Sequence, residues 1–223
     1  MEILFEDNHL IIVNKRVGEL VQTDKVCSES LEESIKSSIK ERYGKSGNVY
    51  LGVPHRLDRP VSGVVIFAKT SKALARLNAM FKSGEVHKTY WAIVKERPPK
   101  EEDLLKHYLV RNEKQNKTYA YDKPTPAAKE ATLRYKLIGA SNSYFLLEVE
   151  LLTGRHHQIR CQLSKIGCPI KGDLKYGFAR SNPNGGISLH AHSVQFIHPV
   201  TKENILAEAP APKKDLFDKM RLT

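Results

Sequence analysis

Residues 63–69, GVVIFAK, are apolar without a break up to Lys69 and rich in β-branched side chains, the composition of a β-strand. The segments around this run read as strands that meet their neighbours through short turns. ILFEDNHLIIVNK (3–15) is a hairpin of two apolar strands about an Asp-Asn turn, and KTYWAIVK (88–95) is a further strand. ATLRYKLIG (131–139) and SYFLLEVELL (143–152) form a second hairpin about Ala140, Ser141 and Asn142. SLHAHSVQFIHP (188–199) and ENILAEAP (203–210) make a last pair. Such connections predict a mixed, mainly antiparallel sheet.

Three helices are expected beside it. SLEESIKSSIKERYG (30–44) has a Ser30 cap, Glu32 and Glu33 in its first turn, Leu31, Ile35 and Ile39 at helical spacing, and Gly44 as a stop. TSKALARLNAMFKSG (70–84) has a Ser/Thr cap, an apolar face of Leu74, Leu77, Met80 and Phe81, and Gly84 at its end. TGRHHQIRCQLSKIG (153–167) turns helical from a Thr153 cap, with Ile159, Leu163 and Ile166 on one face. The charged, Pro-containing stretch 97–131 reads as an exposed excursion between strands. The expected class is α+β: a mixed, mainly antiparallel sheet core flanked by helices and loops.

Lys and Arg number 36 against 25 acids, a formal net charge of +11. That surplus favours a polyanionic partner, because Lys and Arg contacts to phosphate release counterions. Three cysteines, Cys27, Cys161 and Cys168, suggest no disulfide framework and fit a reducing compartment. The N-terminus carries acids where a signal peptide carries a basic then apolar stretch. No run approaches the ~18 apolar residues of a membrane span. A cytoplasmic location without a membrane partner is expected.

The chemistry concentrates in two stretches. In HRLDRPVSG (55–63), an extended backbone puts Arg56 and Asp58 on one side and His55 and Leu57 on the other. An arginine within reach keeps a carboxylate ionised, as a nucleophile or general base must be. Alternatively Asp58 is a loop acid that bonds nearby amides. LLTGRHHQIRCQL (151–163) gathers Arg155, His156, His157 and Arg160 at a strand-to-helix transition, either an anion site or a solvated basic turn. Tyr90 stands in a strand with Ala92 and Val94 on its side, the setting of an ordinary core tyrosine.

Other chemistries lack their motifs. The spacing of Cys161 and Cys168 fits no common zinc knuckle, and no metal is expected. No phosphate-binding G-x-x-x-x-G-K-[ST] or G-x-G-x-x-G pattern follows a strand. Ser62 lacks the frame of a nucleophile elbow.

HRLDRPVSGVVIFAK resembles the catalytic stretch of the RluA family of pseudouridine synthases, H-R-L-D-x-x-T-S-G with an apolar strand behind it. Val61 stands where that pattern has Thr, and Arg59-Pro60 fill its variable pair. The family's other elements follow in order: ILFEDNHLIIVNKRVG its opening hairpin, HKTYWAIV its Lys-x-Tyr strand, LLTGRHHQIRCQL its T-G-R-x-H-Q-I-R element. PIKGDLKYG (169–177) and LHAHSVQFIHP (189–199) are similar to its closing segments.

The resemblance implies a pseudouridine synthase fold with an active-site cleft across the sheet. It makes Asp58 the catalytic aspartate, Arg160 its paired arginine and Tyr90 the tyrosine against the target base. Arg56 becomes the residue that enters the RNA stack, and His55, Arg155 and His157 further RNA contacts. It implies isomerisation of uridine in structured ribosomal or transfer RNA, by one catalytic domain over 1–223. No separate N-terminal RNA-binding module, no cofactor and no obligate protein partner are expected, and the protein would act as a monomer. The rival readings are an RNA-binding protein that keeps the fold without the chemistry, and a hydrolase that uses Asp58 to release uracil.

Overall fold

A computed structural model of the protein describes residues 1–23, 29–44, 46–212 and 216–220; Cys27 lies outside them. The chain divides into two compact units, Met1–Val86 with His192–Pro210, and His87–Ala191 with Ala211–Thr223.

In the first unit the opening hairpin is β1 (Glu2–Glu6) and β2 (Leu10–Lys15), closed where the Asp7 carboxylate accepts the amides of His9 and Leu10. Helix α1 (Leu31–Arg42) begins where Ser30 Oγ accepts the Glu33 amide, a cap that contributes about 1 kcal/mol. It buries the predicted Leu31, Ile35 and Ile39. The apolar run is β3 (Ser62–Ala68), buried at every residue and antiparallel to β2. Helix α2 (Ser71–Ser83) runs from a Thr70 cap to Gly84, whose φ of 81° ends the helix in the left-handed region that glycine occupies without strain. Leu77 and Met80 of α2 pack with Ile12, Ile66, Val194 and Phe196 in this unit's core.

In the second unit β4 (His87–Val94) is followed by β5 (Glu102–Asn112), β6 (Lys117–Tyr121), β7 (Lys129–Ala140) and β8 (Phe145–Leu151). The antiparallel order is β4-β8-β7-β5-β6. The stretch 97–131 is therefore not an excursion: it holds β5, β6 and the start of β7, all ordered strands of the sheet. The signal is the alternation of Leu105, His107 and Leu109, all buried, with exposed or half-buried neighbours. Charged residues on the outward face conceal that period of two. Helix α3 (Gln158–Lys165) lies on these strands. Its Gln162 Nε2 donates to the carbonyls of Leu105 and Ala131, both at 3.2 Å.

The final pair is β9 (Leu189–Ile197) and β10 (Asn204–Glu208), antiparallel. Every register determined is antiparallel and the helices flank the strands, the α+β class expected. Among the described residues no helix is long and apolar enough to cross a membrane.

Candidate active site

Asp58, His55 and Arg56 lie in the first unit; Tyr90, Arg155, His157 and Arg160 lie in the second.

The Asp58 loop runs without regular structure into β3 and is held from beneath. His55 and Leu57 turn inward while Arg56 is exposed, the alternation predicted for an extended segment. His55 Nε2 accepts the Ile66 amide at 2.9 Å, and its ring packs 4.8 Å from that of Phe81. That nitrogen is therefore unprotonated. Asp58 is half-buried and opens a tight turn: its carbonyl accepts the Val61 amide at 3.0 Å. Arg59 is turned away, with Nε donating to the Gly18 carbonyl.

Under this turn lies Lys15, which sequence reading did not single out. At the end of β2, opposite Gly63 of β3, it is wholly buried. Its ammonium donates to the carbonyls of Val61 at 2.6 Å, Arg16 at 3.0 Å and Arg59 at 3.2 Å. All three ammonium hydrogens are thus used, as burial of a cation demands. Burial pushes Lys15 down to about 8; the charges of Glu19 and Asp58 oppose that fall. The Asp58 turn therefore rests on a fixed positive centre.

In the second unit, Tyr90 is buried in β4, opposite Val149 of β8. Lys88 shares its side of the strand, and burial lowers the Lys88 pKa. Helix α3 begins later than predicted. Its first-turn cap is His157, in the left-handed region at φ 51°. Thr153 instead accepts the Thr132 amide and bonds Gln158 Oε1 at 2.8 Å, fixing the approach to the helix rather than its end. Ile166 is half-buried, whereas every residue from Gln158 to Leu163 is buried. From Gln158 to Leu163 the helix is enclosed all round, so Gln158, Arg160 and Gln162 turn to protein groups for hydrogen bonds, although Gln162 Oε1 is left without a partner among the described residues.

Arg160, 5% exposed, donates from Nε to Asp173 Oδ2 at 2.7 Å and from Nη2 to Oδ1 at 2.9 Å. Its guanidinium carbon lies 5.0 Å from the centre of the Tyr176 ring. The Tyr176 hydroxyl accepts the Thr118 amide at 2.8 Å and bonds His157 Nδ1 at 2.9 Å. Burial pushes this phenol up to about 12, so it stays protonated and its hydrogen is available to Nδ1. His156 stacks on His157 with ring centres 3.7 Å apart and bonds Thr118 Oγ1 at 2.8 Å. Arg155 is exposed, Nε on the Glu130 carbonyl. It lines a cleft of about 330 Å³ with Arg111, Thr118, Lys129, Gly154 and His156. Cys161 and Cys168 are buried free thiols, pushed by burial to about 12 and about 11. They are therefore unreactive at neutral pH.

A family model described as RNA pseudouridylate synthase matches residues 9–165, from β2 to the end of α3. The chain belongs to the RluA-type RNA pseudouridylate synthases. Members of this family are isomerases that convert uridine in RNA to pseudouridine.

The uncharacterized RNA pseudouridine synthase YhcT of Bacillus subtilis is 33% identical over 215 residues, 95% of this chain and 69% of that protein. Ribosomal large subunit pseudouridine synthase C of Buchnera aphidicola is 34% identical over 219 residues, 93% of this chain and 66% of that protein. The chain thus spans about two thirds of the length of these two relatives. The tRNA pseudouridine synthase C of Vibrio parahaemolyticus is 28% identical over 227 residues, 94% of this chain and 89% of that one. Among solved structures, human RNA pseudouridylate synthase domain containing 4 superposes with a TM-score of 0.79 at 23% identity. It covers 95% of this chain and 89% of its own, which shows the pseudouridine synthase fold.

Three partners in this pseudouridylate synthase chain escaped sequence reading: Lys15, Asp173 and Tyr176. Asp173 and Tyr176 stand in PIKGDLKYG, noticed only as a segment similar to the family's. An acid and a tyrosine downstream of an arginine-bearing helix were the available signal. Lys15 gave none, because a lysine ending a strand is ordinarily solvated.

Proposed function

We propose that this chain isomerises uridine in a structured ribosomal or transfer RNA, as a cytoplasmic monomer whose two units make one catalytic domain, with Asp58 acting at the ribose–uracil unit. The observation that supports it best is the Asp58 turn: a half-buried carboxylate on a loop whose carbonyls are gripped by a buried ammonium. A site group so preorganised suits chemistry that tolerates little misplacement.

In the reaction the bond from C1′ to N1 breaks, the uracil turns, and C1′ joins C5; the C5 proton leaves and N1 gains one. Atoms balance and no electrons are exchanged, so no redox partner is consumed. A base within a stack is out of reach, so the nucleotide is flipped into the site. Arg56, exposed and planar at its tip, fills the vacated place. Tyr90 packs against the uracil. Asp58 serves as nucleophile or as base toward the sugar, and Arg160, with its guanidinium plane set by Asp173, keeps it ionised and aimed. Arg155 meets the RNA backbone. His55 and His157, each with a ring nitrogen bonded within the protein, hold their loops in RNA-binding form.

Mapping pseudouridines in total RNA from cells with and without the protein identifies the substrate. On that RNA, Asp58→Asn is expected to abolish pseudouridine formation in single turnover and leave affinity within a few-fold. Release of free uracil by the wild type would point to the hydrolase reading, and activity retained in Asp58→Asn would remove Asp58 from the chemistry.

A further inference from the structure

A cavity of about 600 Å³ in the second unit has no part in the chemistry proposed above. Lys95, Lys171, Arg180, Tyr144, Phe178 and Asn182 line it. Lys95 directly follows β4 and stands five residues beyond Tyr90, roughly 17 Å along the strand. The cavity is therefore a separate place from the Tyr90 end of β4.

Its charges are unbalanced. Three cations meet one acid, Glu96. Among the described residues none of the three forms an ion pair, whereas Lys36, Lys69, Arg97 and Lys100 all do. Three cations against one carboxylate leave a net positive field for an anion.

The lining is also built rather than incidental. Lys171 donates to Asn182 Oδ1, and its ammonium lies 5.9 Å from the centre of the Tyr144 ring. Asn182, 7% exposed, donates in turn to Ser188 Oγ at 3.2 Å. Its amide packs against Gly172, where φ is +88° and a Cβ would come within 2.7 Å of the Asn182 side chain. Phe178 is set by its amide on the Asp173 carbonyl at 3.0 Å. A fixed cation, two further cations and two aromatic rings at one cavity match the chemistry of a nucleotide: phosphate for the charges, a base face for the rings.

We propose that this cavity binds an unpaired nucleotide of the substrate RNA, its phosphate on Lys95, Lys171 and Arg180 and its base against Phe178 and Tyr144. The inference rests on RNA being the substrate and adds a second point of attachment away from the target uridine. Such a subsite selects RNA in which a paired stem adjoins single strand.

The test compares two fluorescein-labelled hairpin RNAs with one stem, one blunt and one with a short single-stranded overhang, by fluorescence anisotropy at low salt. The wild type is expected to prefer the overhang about ten-fold, as one stacked base with its phosphate contacts allows. Phe178→Ala, and separately the pair Lys95→Gln/Arg180→Gln, should reduce that preference below about two-fold. The pair Lys40→Gln/Lys72→Gln, on exposed faces of α1 and α2, should weaken both RNAs alike. Thermal melts matching the wild type establish that the variants fold; the exposed Lys95/Arg180 pair decides where Phe178→Ala does not.

A wild type without preference overturns the proposal. So does a preference that survives the cavity variants, or one that the α1/α2 pair erases equally. Uridine 5′-monophosphate supplies the last arm: tight saturable binding that leaves the overhang preference intact would assign the cavity to a free nucleotide instead. An overhang preference in a protein that forms no pseudouridine would sink the isomerase reading and leave the subsite standing.

Discussion

Arg160 and Asp173 share two hydrogen bonds, 2.7 and 2.9 Å long, with the arginine 5% and the aspartate 1% exposed. The fork of the guanidinium matches both carboxylate oxygens, so this contact sets the plane of the arginine as well as its position. Breaking one side of a buried pair leaves the other charge uncompensated, at a cost of about 3–5 kcal/mol. Asp173→Asn is therefore expected to lower the unfolding free energy by about 3 kcal/mol in urea titrations. It should also slow the single-turnover step while leaving RNA affinity nearly unchanged. An unaltered chemical rate in a folded Asp173→Asn protein would show that the arginine needs no such support.

Lys15 gives a pH signature. In the unfolded chain it gains its proton as pH falls through its ordinary value of 10.5; in the folded protein it does so only near 8. Between these values the unfolded state holds the extra proton, so this group makes stability rise from pH 8 to pH 10.5. Below pH 8 its full cost is present, about 3 kcal/mol by linkage. Measured against Lys15→Met, the wild type should gain about that much over this interval in denaturant titrations. Because the Asp58 charge raises the Lys15 pKa, Asp58→Asn should extend the rise to lower pH. Parallel pH profiles for wild type and Lys15→Met would mean that Lys15 titrates as it does in water.

The Tyr176 hydroxyl joins three elements, accepting from Thr118 in β6 and bonding His157 at the start of α3. Tyr176→Phe leaves the buried Thr118 amide unpaired, which costs about 1–3 kcal/mol. A stability loss of that size by urea titration is expected, with RNA affinity reduced less than by Arg155→Ala. A Tyr176→Phe protein as stable as the wild type would mean that water or a shifted neighbour replaces the hydroxyl.

These partnerships mark how far the sequence could be read. Helices α1 and α2 declared themselves because Ser30, Thr70 and Gly84 act locally, each on backbone within a turn of itself. Strand β3 did so because a run without polar residues has one kind of place to go. Thr153 misled because its hydroxyl had a competing use: Thr132, more than twenty residues earlier, supplies the amide it accepts. Strands β5 and β6 were missed because only half their side chains face inward, and the outward half is charged. Asp58, Tyr90 and Arg160 stood out as residue types in a motif. The groups that hold them, Lys15 and Asp173, act through contacts that spacing alone does not encode.

The roles proposed for Arg56 and Arg160 separate by burial. Arg56 is exposed and can enter an RNA stack, whereas Arg160 is enclosed and locked to Asp173. Arg56→Ala should therefore slow extrusion of the uridine, and Arg160→Met the chemistry after extrusion. Extrusion costs least when the target base is already unpaired or mismatched. A mismatched RNA is thus expected to restore most of the rate lost in Arg56→Ala and none of that lost in Arg160→Met. Arg160→Met also strands Asp173 as a buried acid, so Arg160→Met/Asp173→Leu serves beside it: stability should recover in the pair, by about 2 kcal/mol or more, without recovery of rate. Single-turnover rates for the variants on a structured RNA and its mismatched counterpart decide the matter. Equal rescue of Arg56→Ala and Arg160→Met, or rescue of Arg160→Met alone, would end this division of labour.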